Sequence, residues 1–206
     1  MTNFKTEQES FWAGEFGDQY INRNENAKIL AGNISLFSHI FRNTRDVNSV
    51  IEFGPNVGLN LRAIKILLSS AELSAVEINS KAAAELKKIE GLNVYNKSIL
   101  DFTPDYERDF VLIKGVLIHI NPDMLPLVYD LLYRTSGRYI CIAEYYNPVP
   151  VSLPYRGHRD KLFKRDFAGE LLDRFSKVKL VDYGFTYHRD NYYDYDDLNW
   201  FLLEKC

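Results

Sequence analysis

The run Glu52-Phe53-Gly54-Pro55-Asn56-Val57-Gly58 places an acidic residue, two glycines and an asparagine between apolar Val50-Ile51 and the amphipathic stretch that begins at Leu59. Glycine accepts left-handed backbone and lets a ligand approach the main chain, and a helix starting after such a turn presents unpaired N–H groups. That combination suits a nucleotide-type ligand. A second carboxylate, Glu77, ends the apolar run Ala75-Val76 with Ile78 beside it, 19 positions after Gly58. A carboxylate at this point can accept two ribose hydroxyls. Helix capping is its competing use, but Asn79 and Ser80 are cap candidates of their own. The turn is neither of two familiar phosphate loops. G-x-G-x-x-G is not met by Gly54, Asn56 and Gly58, and Gly58-Leu59-Asn60 is not Gly-Lys-Ser/Thr.

These residues need elements to position them. Val47–Phe53, Leu73–Ile78, Leu92–Ile99, Phe110–Val116 and Tyr139–Ala143 read as strands, and Leu59–Leu68, Ser80–Ile89 and a segment from Pro122 to about Arg134 read as helices. Strand–helix alternation at this spacing implies parallel βαβ units. Thr6 to Asn24 and Asn26 to Phe41 read as helices ahead of the first strand. Asn147–Arg165, with prolines 148, 150 and 154, reads as a long connection without strands. A helix from Asp166 to Phe175 follows, and Val178–Tyr187 and Leu198–Leu203 read as an antiparallel pair at the sheet edge. The expected fold is α/β and Rossmann-like: a mostly parallel seven-stranded sheet with a C-terminal antiparallel strand and N-terminal helices. One domain over residues 1–206 is expected, divided into a helical lid (1–45), a ligand-binding core (46–146), and a substrate loop with terminal strands (147–206).

A hydrophobic fraction of 46% supports a folded core rather than disorder, and a net charge of −3 argues against a general nucleic-acid binder. The Met1–Glu7 segment lacks the apolar core of a signal peptide, and no apolar run reaches the roughly 18 residues of a membrane helix. Two cysteines, Cys141 and Cys206, make neither a disulfide framework nor a metal cluster, so a cytoplasmic setting and no metal are expected. Five cations (Arg156, Arg159, Lys161, Lys164, Arg165) face one acid, Asp160, between residues 155 and 165. Arg forks suit carboxylate or phosphate, so Arg156, with His158, is a candidate contact for an anionic substrate; a solvated loop is the alternative. Tyr145 and Tyr146 leave the fifth strand where open α/β sheets bind ligands, and alternation points one into the pocket and the other into packing.

The Glu52–Gly58 turn resembles motif I (E/D-x-G-x-G-x-G) of the class I S-adenosylmethionine-dependent methyltransferases, with Asn56 in place of the middle glycine. Asn96-Lys97-Ser98-Ile99-Leu100-Asp101 matches the segment that meets adenine in that family, which implies Ser98 with the Ile99 backbone for this contact. Lys114-Gly115-Val116-Leu117-Ile118-His119-Ile120-Asn121-Pro122-Asp123 resembles the family's vLhHip-D segment. The resemblance implies that Lys114 faces the methyl-transfer centre and that His119 either acts as general base or packs and orients its loop. Outer segments, among them Phe11-Trp12-Ala13-Gly14-Glu15-Phe16, Ala143-Glu144-Tyr145-Tyr146-Asn147-Pro148 and Pro154-Tyr155-Arg156-Gly157-His158, are similar to methylases associated with pseudaminic acid biosynthesis.

The resemblance implies S-adenosyl-L-methionine as cofactor, bound by Glu52, Gly54, Pro55, Asn56, Gly58, Glu77, Ile78, Ser98, Ile99 and Lys114. Trp12, Tyr20 and Arg23 could close over it as a lid; Phe16 is expected to dock the first helix. Candidate catalytic residues are His119, Lys114 and Tyr145; candidate acceptor contacts are Tyr146, Arg156 and His158. The expected reaction is methyl transfer to an oxygen or nitrogen of a small anionic acceptor, a sugar or nucleotide-sugar of a surface-glycan pathway. Two alternatives are a non-catalytic partner that binds the cofactor or a sugar nucleotide within a biosynthetic complex, and another nucleotide-dependent α/β enzyme. Neither nucleic acid nor membrane is an expected partner, and the sequence leaves oligomeric state open.

Overall fold

A computed structural model describes residues 4–21 and 27–206. The chain opens with helices α1 (Glu7–Ala13), α2 (Glu15–Ile21) and α3 (Ala27–Phe41). The helical run expected from Thr6 breaks at Gly14, and its end at residues 22–24 lies outside the described residues. Thr6 caps α1 with a reciprocal Glu9 bond, a capping box that its Thr-x-x-Glu spacing dictates.

Then come β1 (Ser49–Phe53), α4 (Leu59–Leu67), β2 (Glu72–Val76), α5 (Ser80–Leu86), β3 (Leu92–Tyr95) and β4 (Arg108–Lys114). Two short 3-10 turns lead to α6 (Leu125–Thr135) and β5 (Ser136–Glu144). The remaining elements are β6 (Val151–Tyr155), β7 (His158–Lys164), α7 (Phe167–Arg174), β8 (Val178–Thr186) and β9 (Leu198–Lys205). The main sheet has order β3-β2-β1-β4-β5-β9-β8, with β9 antiparallel to both its neighbours. The fold is therefore the expected α/β sheet, with one reversed strand next to the edge.

Residues 147–165 are a correction. The prolines suggested a strandless connection, but β6 and β7 form an antiparallel hairpin of their own. Arg156 (φ 49) and Gly157 (φ 85) occupy its two-residue turn, and both being left-handed is what a tight hairpin turn demands. Pro154 falls where the register shifts between Leu153 and Tyr155, a place where its missing N–H breaks no ladder bond.

Alternation along the central strands feeds two cores. Val111 and Ile113 of β4 join Leu125, Val128 and Leu132 of α6 and Leu171 of α7 on one face. Phe110 and Leu112 turn to the other face, against Phe37 and Ile40 of α3 and Ile64 of α4. Among the described residues, no helix is long and apolar enough to cross a membrane.

Candidate functional site

The turn after β1 carries three left-handed residues at alternate positions: Gly54 (φ 70), Asn56 (φ 52) and Gly58 (φ 82). Asparagine tolerates this region better than other non-glycine residues, so Asn56 takes the backbone shape that a glycine would. Gly54 must lack a side chain, because a Cβ there would sit 2.5 Å from Val116 Cγ2. Gly58 is left-handed too, and its Cβ would meet Leu86 Cδ2 of α5 at 2.7 Å. Gly58 thus sets helix packing behind the turn and does not itself line the cavity described next.

Strand order reverses around β1 and β4, and at their carboxyl ends lies a cavity of about 430 Å³. Gly54, Pro55, Asn56, Glu77 and Ile78 form one side of its lining, Ser98 and Ile99 another, and Lys114 and His119 come from the end of β4. Trp12 and Tyr20 line it from α1 and α2, and Tyr145 from the end of β5. Twelve expected residues are thereby brought together from six parts of the chain. Arg23 lies outside the described residues.

Glu52 does not line the cavity; it stands fully buried behind it, accepting from Asn60 Nδ2 at 2.6 Å. Burial pushes its carboxyl up to about 7, moderated by Asn60 and by the charge of Lys114. Lys114 in turn is pushed down by burial, with Glu52, Asp196 and Glu144 acting the other way. Glu77 is less free than the sequence suggested. Its Oε2 accepts from Asn56 N at 2.9 Å and its Oε1 from Asn79 N at 2.8 Å, so it ties the turn after β1 to the turn after β2. Asn79 is indeed the cap of α5, and each Glu77 oxygen keeps a second lone pair for a ligand.

Ser98 also differs from expectation. Its hydroxyl donates to Glu9 Oε1 of α1 and accepts from Leu100 N at 3.0 Å. His119 is buried with Nδ1 2.5 Å from the Lys161 carbonyl oxygen. A carbonyl only accepts, so Nδ1 carries the proton and Nε2 the lone pair. Burial lowers the ring to about 4, partly offset by the Lys161 bond. It packs between Trp12 (4.6 Å between ring centres) and Tyr155 (4.8 Å).

Of the acceptor candidates, Tyr146, Arg156 and His158 do not line the cavity. Tyr146 turns outward to Phe201, as alternation with Tyr145 requires. His158 packs on Phe11 (4.9 Å) and Phe16 (5.8 Å), which fastens the hairpin to the lid. Arg156 lies over the Tyr155 ring at 5.5 Å, and Tyr155 does line the cavity. Three of the other four cations of the segment have partners of their own: Lys161 pairs with Glu7 at 3.2 Å, Arg165 with Glu170 at 2.7 Å, and Lys164 lies over the Tyr145 ring at 5.0 Å.

Sequence reasoning missed several residues. Gln8, Glu9 and Asn60 line the cavity, as do Asp194 and Asp196 from the loop before β9. Glu144, at the end of β5, is buried and accepts from Val116 N and Leu117 N, both at 2.9 Å, fixing the loop that carries His119. An acid closing an otherwise apolar strand, as in Ile142-Ala143-Glu144, was its available signal.

The lining offers unused polar atoms to a polar ligand, and a ligand of the S-adenosylmethionine type fits them. Among the described residues, Asn56 Oδ1, Asn60 Oδ1, Gln8 Oε1 and Trp12 Nε1 are buried without a hydrogen-bond partner, and all four residues line the cavity. Such orphaned atoms are rare unless a ligand or water completes them. Among the described residues, no group of three or more His, Cys, Asp or Glu could hold a metal ion.

No protein-family model matches the chain, and no curated protein matches it in sequence. Solved structures do match in fold. The plantazolicin methyltransferase BpumL, in complex with S-adenosylhomocysteine, superposes with TM-score 0.67 at 15% identity over 96% of this chain and 93% of that one. The 1,6-didemethyltoxoflavin-N1-methyltransferase of Burkholderia thailandensis gives 0.69 at 14% identity, over 96% and 86%. Magnesium protoporphyrin IX methyltransferase from Synechocystis, with S-adenosylmethionine bound, gives 0.64 at 12% identity over the whole of both chains. The chain thus has the fold of S-adenosylmethionine-dependent methyltransferases.

Proposed function

We propose that this protein is an S-adenosylmethionine-dependent methyltransferase acting on a small acceptor. The observation that carries the reading is the cavity wall itself: the left-handed turn at Gly54–Gly58, the Glu77 carboxylate, and the orphaned Asn56 and Asn60 oxygens meet at the carboxyl edge of the sheet. Glu77 would hold the ribose hydroxyls, and the Asn56 and Asn60 oxygens would accept from the methionine ammonium. The cofactor, when bound, supplies a methyl group activated on sulfonium sulfur. Lys114 and Tyr145 position the acceptor at the open end, while Trp12 and Tyr20 exclude water. His119, neutral and with Nε2 free to accept, is suited to orienting a hydroxyl or amine hydrogen.

The acceptor we infer is a small anion, a sugar or nucleotide-sugar, in keeping with the resemblance to pseudaminic acid-associated methylases. Lys114 supports this, because it lines the cavity at the end of β4, and Arg156 stands over the ring of Tyr155, which lines the cavity too. Incubation with methyl-labelled cofactor and an extract of acidic sugars and nucleotide-sugars tests it. Label should appear in products retained on an anion exchanger, and Arg156→Ala should raise the acceptor KM about tenfold, as expected for a lost charged contact. Label confined to uncharged or cationic products contradicts the acceptor class. No label from any pool contradicts the catalytic reading.

A further inference from the structure

Helix α1 presents two polar atoms to the cavity that the described protein leaves unused. Gln8 Oε1 and Trp12 Nε1 are buried without a partner among the described residues. The two residues are four positions apart, hence on one face of the helix. Both are held in place. Gln8 is only 6% exposed, and its Nε2 donates to Asp160 O at 2.9 Å. That bond fixes the amide, because only the NH₂ end can face a carbonyl, and leaves Oε1 as an acceptor turned the other way. The Trp12 ring is packed against His119 (4.6 Å), Tyr20 (5.3 Å) and Phe16 (5.4 Å), and its Nε1 can only donate.

An acceptor and a donor fixed on one face call for a ligand edge that carries a donor beside an acceptor. The pair lies next to the turn after β3, since Glu9, between them in sequence, receives the Ser98 hydroxyl. Ser98, the residue expected to meet the base, has given its only proton to Glu9 and a lone pair to Leu100 N. Ser98 thus has no proton left for the base and cannot by itself supply both a donor and an acceptor. We propose that Gln8 and Trp12 read the nucleobase of the bound cofactor. Gln8 Oε1 accepts from the exocyclic amine and Trp12 Nε1 donates to a ring nitrogen, so the lid helix selects adenine over hypoxanthine. This inference rests on the cofactor reading above.

The test is calorimetric titration of the full chain with S-adenosylhomocysteine and with S-inosylhomocysteine, in which a carbonyl oxygen replaces the amine. The native protein should bind the adenosyl compound about tenfold or more tightly, because the inosyl oxygen would face Gln8 Oε1 acceptor to acceptor. Gln8→Met, which removes the acceptor, should bring the two affinities together. Equal binding by the native protein, or an undiminished preference in Gln8→Met, overturns the proposal. If Gln8→Met fails to fold, Trp12→Phe decides: it keeps an aromatic ring and should weaken S-adenosylhomocysteine about tenfold, and unchanged affinity overturns the pair. Binding of neither compound by native protein instead contradicts the cofactor reading itself.

Discussion

Three glutamates buried at or behind the cavity, Glu52, Glu77 and Glu144, are each pushed up to about 7 by burial. In the unfolded chain their carboxyls ionise near pH 4.5. Between pH 4.5 and 7 the folded protein therefore holds more protons than the unfolded one, and stability falls as pH rises through that window. His119 acts in the opposite sense: its folded value is lowered to about 4, so its contribution grows from pH 4 to 6.5. One group opposes three. The unfolding midpoint of ligand-free protein should fall between pH 5 and 7, and Glu144→Gln, which cannot ionise, should make the fall shallower. A midpoint that rises through this range in thermal denaturation would contradict the burial of these carboxylates. Asn56 and Glu77 were legible in the sequence because turn and strand end carry a pattern. Gln8 was not, because it is a single polar residue whose burial depends on distant chain, and Glu144 was signalled only by its place at the end of an apolar strand.

Helices α1 and α2 and the β6–β7 hairpin meet over the cavity, fastened by aromatic contacts of Phe11, Trp12 and Phe16 with His158, Tyr155 and His119 and by a few polar bonds. Asp18 of α2 accepts from Asn79 Nδ2 at 2.9 Å and pairs with Lys81 at 2.6 Å, which pull its carboxyl below the ordinary value. Gln8 reaches the hairpin at Asp160 O, and His119 reaches it at Lys161 O. Asp18→Ala should loosen the lid without loosening the sheet. Hydrogen exchange should quicken in α1 and α2 while β1 and β4 amides stay protected; uniform acceleration would mean that the lid is part of the global fold. The N-terminal helices were legible from their helical pattern. The hairpin was not: β6 reads Val-Ser-Leu-Pro-Tyr, whose proline obscured the strand, although the Arg156-Gly157 pair was a turn signal in plain view. Strand limits elsewhere moved by a few residues, as with Leu92–Tyr95 against an expected end at Ile99, because the polar Asn96-Lys97-Ser98 leaves the sheet and Lys97, Ser98 and Ile99 line the cavity.

Across the whole molecule, sheet order decides where chemistry can occur. Reversal of the strand order around β1 and β4 opens a crevice at their carboxyl ends, lined by loops and helices that reach over that edge and by strand-end residues such as Val76 and Lys114. β9, reversed between β5 and β8, brings Asp194 and Asp196 to the same edge from the far end of the sequence. The βαβ rhythm made this architecture readable in advance, whereas the fold of the tail loop at its edge depends on contacts that no local pattern encodes. We propose that this crevice binds an S-adenosyl ligand through Glu77. Calorimetric titration with S-adenosylhomocysteine tests it most directly: saturable one-to-one binding is expected, weakened about tenfold to a hundredfold in Glu77→Ala by loss of charged hydrogen bonds. No saturable binding by folded native protein, or equal affinity in Glu77→Ala, would contradict it.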